Sequence, residues 1–141
     1  MSKLIIRNAR LVNEGAITES DVLIEDERIA KIATSIKVDS NVCAIDAEGK
    51  LLIPGMIDDQ DHFREPGLTH KADLATESAA SVAGGITSFM EMPNVNPQTT
   101  NKDALKNKYG LAKDRCRANY SFYMGATNTN IEDIKSLEVN D

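Results

Sequence analysis

The 141 residues contain no apolar run that approaches the roughly 20 residues a membrane helix requires. Met1-Ser2-Lys3-Leu4-Ile5-Ile6-Arg7 is too short in apolar residues for a secretory signal. A cytoplasmic location with no membrane partner is therefore expected. Cysteine is scarce. Cys43 and Cys116 fall in no CxxC or zinc-finger spacing, which points to reduced, partly buried thiols in place of a disulfide. Basic charge is outnumbered, with 16 Lys and Arg against 22 Asp and Glu and a formal charge of -6. A nucleic-acid binder needs a basic face for phosphates, so none is expected as a partner. Low-complexity segments and internal repeats are also missing. What remains is an ordinary globular balance, 41% hydrophobic and 27% charged, which argues against a disordered tail or a fibre. The length suits about one domain.

The chain changes character near Pro54. Before it, Leu4-Ile5-Ile6 and Leu11-Val12 are apolar segments separated by Arg7-Asn8-Ala9-Arg10. Val22-Leu23-Ile24 runs into Glu25-Asp26-Glu27 and returns through Arg28-Ile29-Ala30-Lys31-Ile32, a hairpin pattern. Val42-Cys43-Ala44-Ile45 and Leu51-Leu52-Ile53 flank the turn 46–50. About five strands imply a small sheet or half-sandwich.

After Pro54-Gly55 the rhythm is strand, helix, strand, helix, strand. Met56 to Phe63 reads as an acidic strand. Thr69 can cap a helix running to Ala83, with Ala75, Ala79 and Val82 on one face and Gly84-Gly85 as its stop. Ile86 to Met90 is the next strand, ended by Pro93. Thr100 or Asn101 caps a second helix with Leu105, Tyr109 and Ala112 on its buried face. Tyr120, Phe122 and Met124 alternate as a third strand, and Asn130 starts a helix with Ile131, Ile134 and Leu137. This alternation implies an α/β fold with a parallel sheet and right-handed crossovers. Three strands cannot close a barrel, which needs eight. The chain is thus expected to be the N-terminal piece of a longer protein. The alternative is a small open α/β domain with a bare edge strand. In the barrel reading, Phe89 and Met124 face the barrel and stay exposed.

The chemistry concentrates in residues 57–67. Strand alternation puts Asp58, Gln60, His62 and Arg64 on one face and Asp59, Asp61 and Phe63 on the other. At the C-terminal end of a barrel strand, His62 could hold a metal and Arg64 an anion, since the guanidinium fork grips a carboxylate through two hydrogen bonds. His70 reads as a surface residue and Glu25-Asp26-Glu27 as a solvated turn. The direction of Glu91 is left open.

Pro54-Gly55-Met56-Ile57-Asp58, followed by Gln60-x-His62-x-Arg64-Glu65-Pro66-Gly67, resembles the first barrel strand of dihydroorotases in the amidohydrolase superfamily. Ala83-Gly84-Gly85-Ile86-Thr87 and Met92-Pro93-Asn94 resemble that family's second strand and loop. The resemblance implies a TIM-barrel-like metal-dependent hydrolase with a small β-sandwich subdomain. Residues 1–53 would be part of the composite sandwich, and 54–141 the first β/α units of an incomplete (β/α)8 barrel. It further implies one or two zinc ions, a reversible cyclisation of N-carbamoyl-L-aspartate to dihydroorotate, and a homo-oligomeric whole protein. By position, His62 would be a metal ligand, and Arg64 and Asn94 would bind the carboxylate of a small-molecule substrate. Hydantoinase-like relatives usually lack this arginine.

Two departures stand out. Gln60 occupies the position of the family's first metal-binding histidine, and its neutral amide oxygen is a harder, weaker donor to zinc. Asp61 falls where the family usually has an apolar residue facing the helices. It is expected to pair with a base or to stay partly exposed, the alternative being a strand shift toward the metal. No catalytic acid or base is assigned within these residues, so the chain alone is expected to be inactive. An inactive scaffold and another cyclic amidohydrolase, acting on an allantoin- or hydantoin-like ring, are the competing readings.

Overall fold

The computed structural model describes residues 2–137. The chain divides into two compact units, one ending at Pro54 and the other starting at Gly55.

The first unit is a single five-stranded sheet. Strands β1 (Lys3–Asn13), β2 (Ala16–Glu25) and β3 (Arg28–Ala33) form an antiparallel meander. Glu14 and Gly15 make the first turn, with φ of 49° and 76°, the left-handed pair that a two-residue hairpin loop needs. The sequence pattern splits β1 into two segments, whereas the structure has one strand with a bulge between Ile6 and Ala9, where Asn8 takes φ 54°. The buried Asp21 carboxylate holds that bulge. It accepts from Asn8 N at 3.2 Å, Ile36 N at 3.0 Å and the Arg7 guanidinium at 3.2 Å. Strands β4 (Cys43–Asp46) and β5 (Leu51–Leu52) do not pair with each other; both run parallel to β1, one after the other along it. Ile5, Ala9, Val22 and Ile36 are buried, while Ile29 and Leu51 lie exposed. A second sheet, as a sandwich requires, is not among the described strands of this unit.

The second unit alternates β6 (Met56–Asp61), α1 (Leu74–Ala83), β7 (Ile86–Glu91), α2 (Lys102–Ala112), β8 (Asn119–Phe122) and α3 (Ile131–Lys135). Its three strands are parallel in the order β6-β7-β8. The cap of α1 is Asp73 and not Thr69. The Asp73 carboxylate accepts from Ala75 N at 2.8 Å and Thr76 N at 2.9 Å, so the helix starts four residues beyond the expected first turn. Leu74 and Ser78 are its buried residues, and Val82 stays exposed, so the stripe Ala75–Ala79–Val82 is not the packed face. Of the two capping residues the sequence offers, Asn101 and not Thr100 caps α2, through Ala104 N at 2.8 Å, and Leu105 and Ala112 are buried with Tyr109 against them.

The core gathers Phe63, Leu74, Phe89, Leu105, Ala112, Ala118 and Phe122. Phe89 is 1% exposed and its ring lies 4.5 Å from that of Phe63. The expectation that Phe89 faces an open barrel side is therefore wrong. It points to the helix layer, where it shares a cluster with Leu74 of α1 and Leu105 of α2. Met124 lies beyond β8 and is partly buried.

Candidate functional site

The site residues sit where β6 and β7 run into their loops. A register shift between Asp58 and Asp61 breaks strict alternation along β6 and sets Asp61 opposite Glu91 of β7. Both side chains are buried, Asp61 at 8% and Glu91 at 0% exposure. Neither pairing with a base nor exposure, as expected for Asp61, is observed. Both of its carboxylate oxygens lack a hydrogen-bond partner. Burial pushes its pKa up to about 7, the charges of Glu91 and Asp58 push the same way, and Lys108 opposes them.

Glu91 faces the helices, and Lys108 of α2 comes to meet it. Lys108 Nζ lies 3.0 Å from Glu91 Oε2, with both side chains fully buried. The ammonium also donates to the Met92 carbonyl at 3.1 Å and sits 5.0 Å from the centre of the Phe122 ring. Burial drives the Glu91 carboxyl up and the Lys108 ammonium down, and their mutual attraction opposes both shifts. Oε1 of Glu91 accepts from Arg64 N at 2.9 Å. Arg64 takes φ 72°, so this hydrogen bond holds a backbone turn that an L-residue seldom adopts. Its guanidinium is half-buried and forms no ion pair among the described residues.

Glu65 is a structural carboxylate. Arg115 grips it through two bonds of 2.8 and 3.1 Å, and Glu65 Oε2 accepts from Leu74 N at 3.0 Å, at the start of α1. The β6 and β7 loops zip together at the backbone, Met92 N to Asp61 O at 3.1 Å and Asn96 N to Pro66 O at 3.0 Å. Gly67 makes this approach feasible. It has φ 80°, and a Cβ there would lie 1.8 Å from the Asn96 carbonyl oxygen. The loop after β8 joins them. Gly125 N donates to Thr99 O at 2.7 Å, and the buried Asn130 amide donates to the carbonyls of Thr100 and Gly125. Its Oδ1 accepts from Thr127 N instead of capping α3.

His62 and Asn94 meet on the open side. His62 Nδ1 lies 2.9 Å from Asn94 Oδ1. An amide oxygen only accepts, so Nδ1 carries the proton and Nε2 keeps its lone pair. Nε2 can then take a metal ion or a proton, while the two hydrogens of Asn94 Nδ2 remain for an anion. This carbonyl-oriented imidazole is the arrangement that metal-binding histidines use. Gln60 is exposed, and its side chain makes no hydrogen bond among the described residues. Among the described residues no three His, Cys, Asp or Glu side chains converge on a metal position. His62 thus fits one corner of a metal site, and Gln60 does not add a second imidazole. Beside Asn94, a shallow cleft of about 170 Å³ is lined by Pro93, Thr100, Gly125 and Thr127.

Of the four residues singled out from sequence, the structure brings His62 and Asn94 into contact, anchors Arg64 by its backbone, and leaves Gln60 apart. Sequence reasoning missed Lys108, Arg115 and the direction of Glu91. Lys108 had a signal, since it falls three residues after Leu105 and four before Ala112, on the buried stripe of α2. Glu91 follows Phe89 at the strand period, which puts both on the helix side.

A family model described as Dihydro-orotase-like matches residues 49–138. A dihydroorotase of Methanosarcina acetivorans is 36% identical over 137 residues, 97% of this chain and 29% of that protein. A dihydroorotase of Streptococcus thermophilus is 42% identical over 105 residues, covering 73% of this chain and 25% of its own. The solved L-hydantoinase (dihydropyrimidinase) of Arthrobacter aurescens superposes with a TM-score of 0.85 at 35% identity, over 96% of this chain and 30% of that one. The dihydropyrimidinase of Brevibacillus agri gives a TM-score of 0.80 at 25% identity, over 94% of this chain and 29% of that one. The chain spans less than a third of the length of these relatives.

Proposed function

Because the chain belongs to the dihydro-orotase-like family, we propose that the whole protein containing it is a cyclic amidohydrolase that closes N-carbamoyl-L-aspartate into dihydroorotate and water, reversibly. Residues 1–53 would then contribute to a composite β-sandwich and 54–141 to the opening of a (β/α)8 barrel, in a cytoplasmic homo-oligomer. The observation that carries the reading is the half-buried Arg64 guanidinium, without an ion pair among the described residues, following an imidazole whose tautomer Asn94 sets.

In this reading Arg64 grips the substrate carboxylate with its fork, and Asn94 Nδ2 donates a further hydrogen bond to the same group. Asn94 Oδ1 keeps His62 in the tautomer whose Nε2 can ligate. Zinc held in part by His62 would supply a Lewis acid and lower the pKa of a bound water. The weaker donor at Gln60 favours looser zinc binding at that corner. The residues of this chain thereby bind and orient the ring; the acid-base group would come from elsewhere in the whole protein.

The likeness to the Arthrobacter L-hydantoinase supports a second reading, a hydantoin- or dihydropyrimidine-like ring without the carboxylate. Turnover of dihydroorotate, hydantoin and dihydrouracil by the whole protein separates them. A clear preference for dihydroorotate is expected. Preference for the uncarboxylated rings would overturn the first reading in favour of the second.

A further inference from the structure

The ion pair Lys108–Glu91 lies on the helix side of the sheet, away from the open side where His62 meets Asn94. Buried ion pairs add little net stability over apolar side chains of similar volume, so a pair with no exposure invites another explanation. Its remaining bonds supply one. Glu91 Oε1 takes the N–H of Arg64, at the turn with φ 72°. Lys108 takes the carbonyl of Met92, two residues before Asn94. One end of the pair therefore holds the loop after β6, and the other holds the loop after β7.

We infer that Glu91 and Lys108 are positioning residues, a buried clamp that fixes the turn presenting Arg64 relative to the loop presenting Asn94. The inference rests on the proposed role of Arg64 and Asn94 as the carboxylate grip. Glu91 touches no substrate in this scheme; it acts through the Arg64 amide. Without the acceptor at Oε1, the turn at Arg64 loses the bond that offsets its unfavourable backbone angle, and the guanidinium is released from its register with Asn94.

Two double variants of the whole protein separate positioning from stability. Glu91→Gln with Lys108→Met keeps an acceptor oxygen at the same reach and removes both charges of the pair. Glu91→Leu with Lys108→Met removes the same two charges, leaves Asp61 as it is in the Gln variant, and lacks the acceptor. The Gln variant is expected to hold KM for dihydroorotate near the parent value, whereas the Leu variant raises it roughly tenfold with a smaller fall in kcat. Backbone amide exchange over residues 62–68 should also quicken by roughly tenfold in the Leu variant alone. Equal KM and equal exchange in the two variants would overturn the clamp. So would a KM that follows melting temperature and not the presence of the acceptor. If either variant fails to fold, the Arg64 amide in the unmodified protein decides. Exchange as slow as that of the β7 amides supports the clamp, and exchange at open-loop rates rejects it. If the unmodified protein does not act on dihydroorotate, the proposed function fails, and amide exchange still tests the clamp by itself.

Discussion

Asp21 and Asp61 are both buried carboxylates on strands, and their surroundings separate them. Asp21 accepts two backbone N–H bonds and faces a guanidinium, so its lone pairs are satisfied where it replaces water. Asp61 has no hydrogen bond at either oxygen and shares its neighbourhood with Glu91 and Asp58. With Lys108 already paired to Glu91, Asp61 is an excess acid in an apolar setting. Replacing Asp61 with Leu is expected to raise stability by about 1–4 kcal/mol, since it removes an uncompensated buried polar group and leaves the Glu91–Lys108 pair balanced. The urea midpoint of the variant checks this, and a lower midpoint would mean that Lys108 depends on both carboxylates. Arg64 makes the opposite case, a half-buried charge to which the proposed function gives a substrate to hold. Arg64→Met removes the fork while keeping much of the length. It is expected to raise KM for dihydroorotate and lower turnover, together costing about 2–4 kcal/mol of transition-state stabilisation. Metal content should stay at the parent level, because the guanidinium is not a ligand. Unchanged kinetics would reject the carboxylate role.

The elements show which parts of the structure could be read from the chain alone. Helix α2 and its buried face were legible, because Leu105, Tyr109 and Ala112 follow a helical period after a pair of capping residues, although the choice of Asn101 over Thr100 and the buried Lys108 were not. Strands β7 and β8 were legible from their β-branched and aromatic residues, and β6 as an acidic strand after Pro54-Gly55. The α1 start was not, since Thr69 and Asp73 both have capping side chains, and only the backbone donors of Ala75 and Thr76 choose between them. Parallel pairing of β4 and β5 with β1 is equally hidden, because it joins residues more than 35 positions apart that carry no turn signal. At the site, His62 and Arg64 stood out by residue type, and Asn94 entered through the resemblance carried by Met92-Pro93-Asn94. The Lys108–Glu91 pair did not, because two charges of ordinary composition become informative only when burial brings them within 3.0 Å.

Two predictions belong at this scale. Gly67→Ala places a methyl group on the Asn96 carbonyl and an L-residue at φ 80°. A loss of roughly 2–4 kcal/mol is expected, read as a lower urea midpoint, together with a weaker carboxylate grip. The Asp73 cap makes α1 sensitive to acid. Its folded pKa is lowered below 3.8, first by the Thr76 N–H, so its contribution is present above about pH 4 and is lost as pH falls through the folded value. Asp73→Asn keeps an acceptor without a charge and should flatten that part of the stability curve below about pH 4. An unchanged acid limb would assign the sensitivity to other carboxylates.

Taken as a molecule and in the proposed reading, these residues would supply the grip on a substrate carboxylate and one oriented imidazole, and a hydrolytic site needs more. The 141-residue chain purified alone is expected to show no metal-dependent turnover of dihydroorotate, and measurable turnover would reject the site assignment. Its surface is also unfinished. Ile57 is 70% exposed and Ile29 66%, and β6 and β8 border a sheet of only three strands. Association during size-exclusion chromatography with light scattering is the expected result, and a monodisperse monomer with a sharp cooperative melt would count against it.

The aromatic rings follow an uneven plan. There is no tryptophan, and all three tyrosines and all three phenylalanines come after Pro54, most of them in the cluster around Phe89. Near-ultraviolet light therefore sees only the second unit. Tyrosine emission and near-ultraviolet dichroism report the packing of Tyr109 and Tyr120 on that core, while the first unit is dark to both. Far-ultraviolet dichroism at 218 nm, roughly the band of strands, records the two together. The protein thus carries a built-in optical label on one unit, and comparing the two signals during denaturation resolves the melting of each without adding a dye.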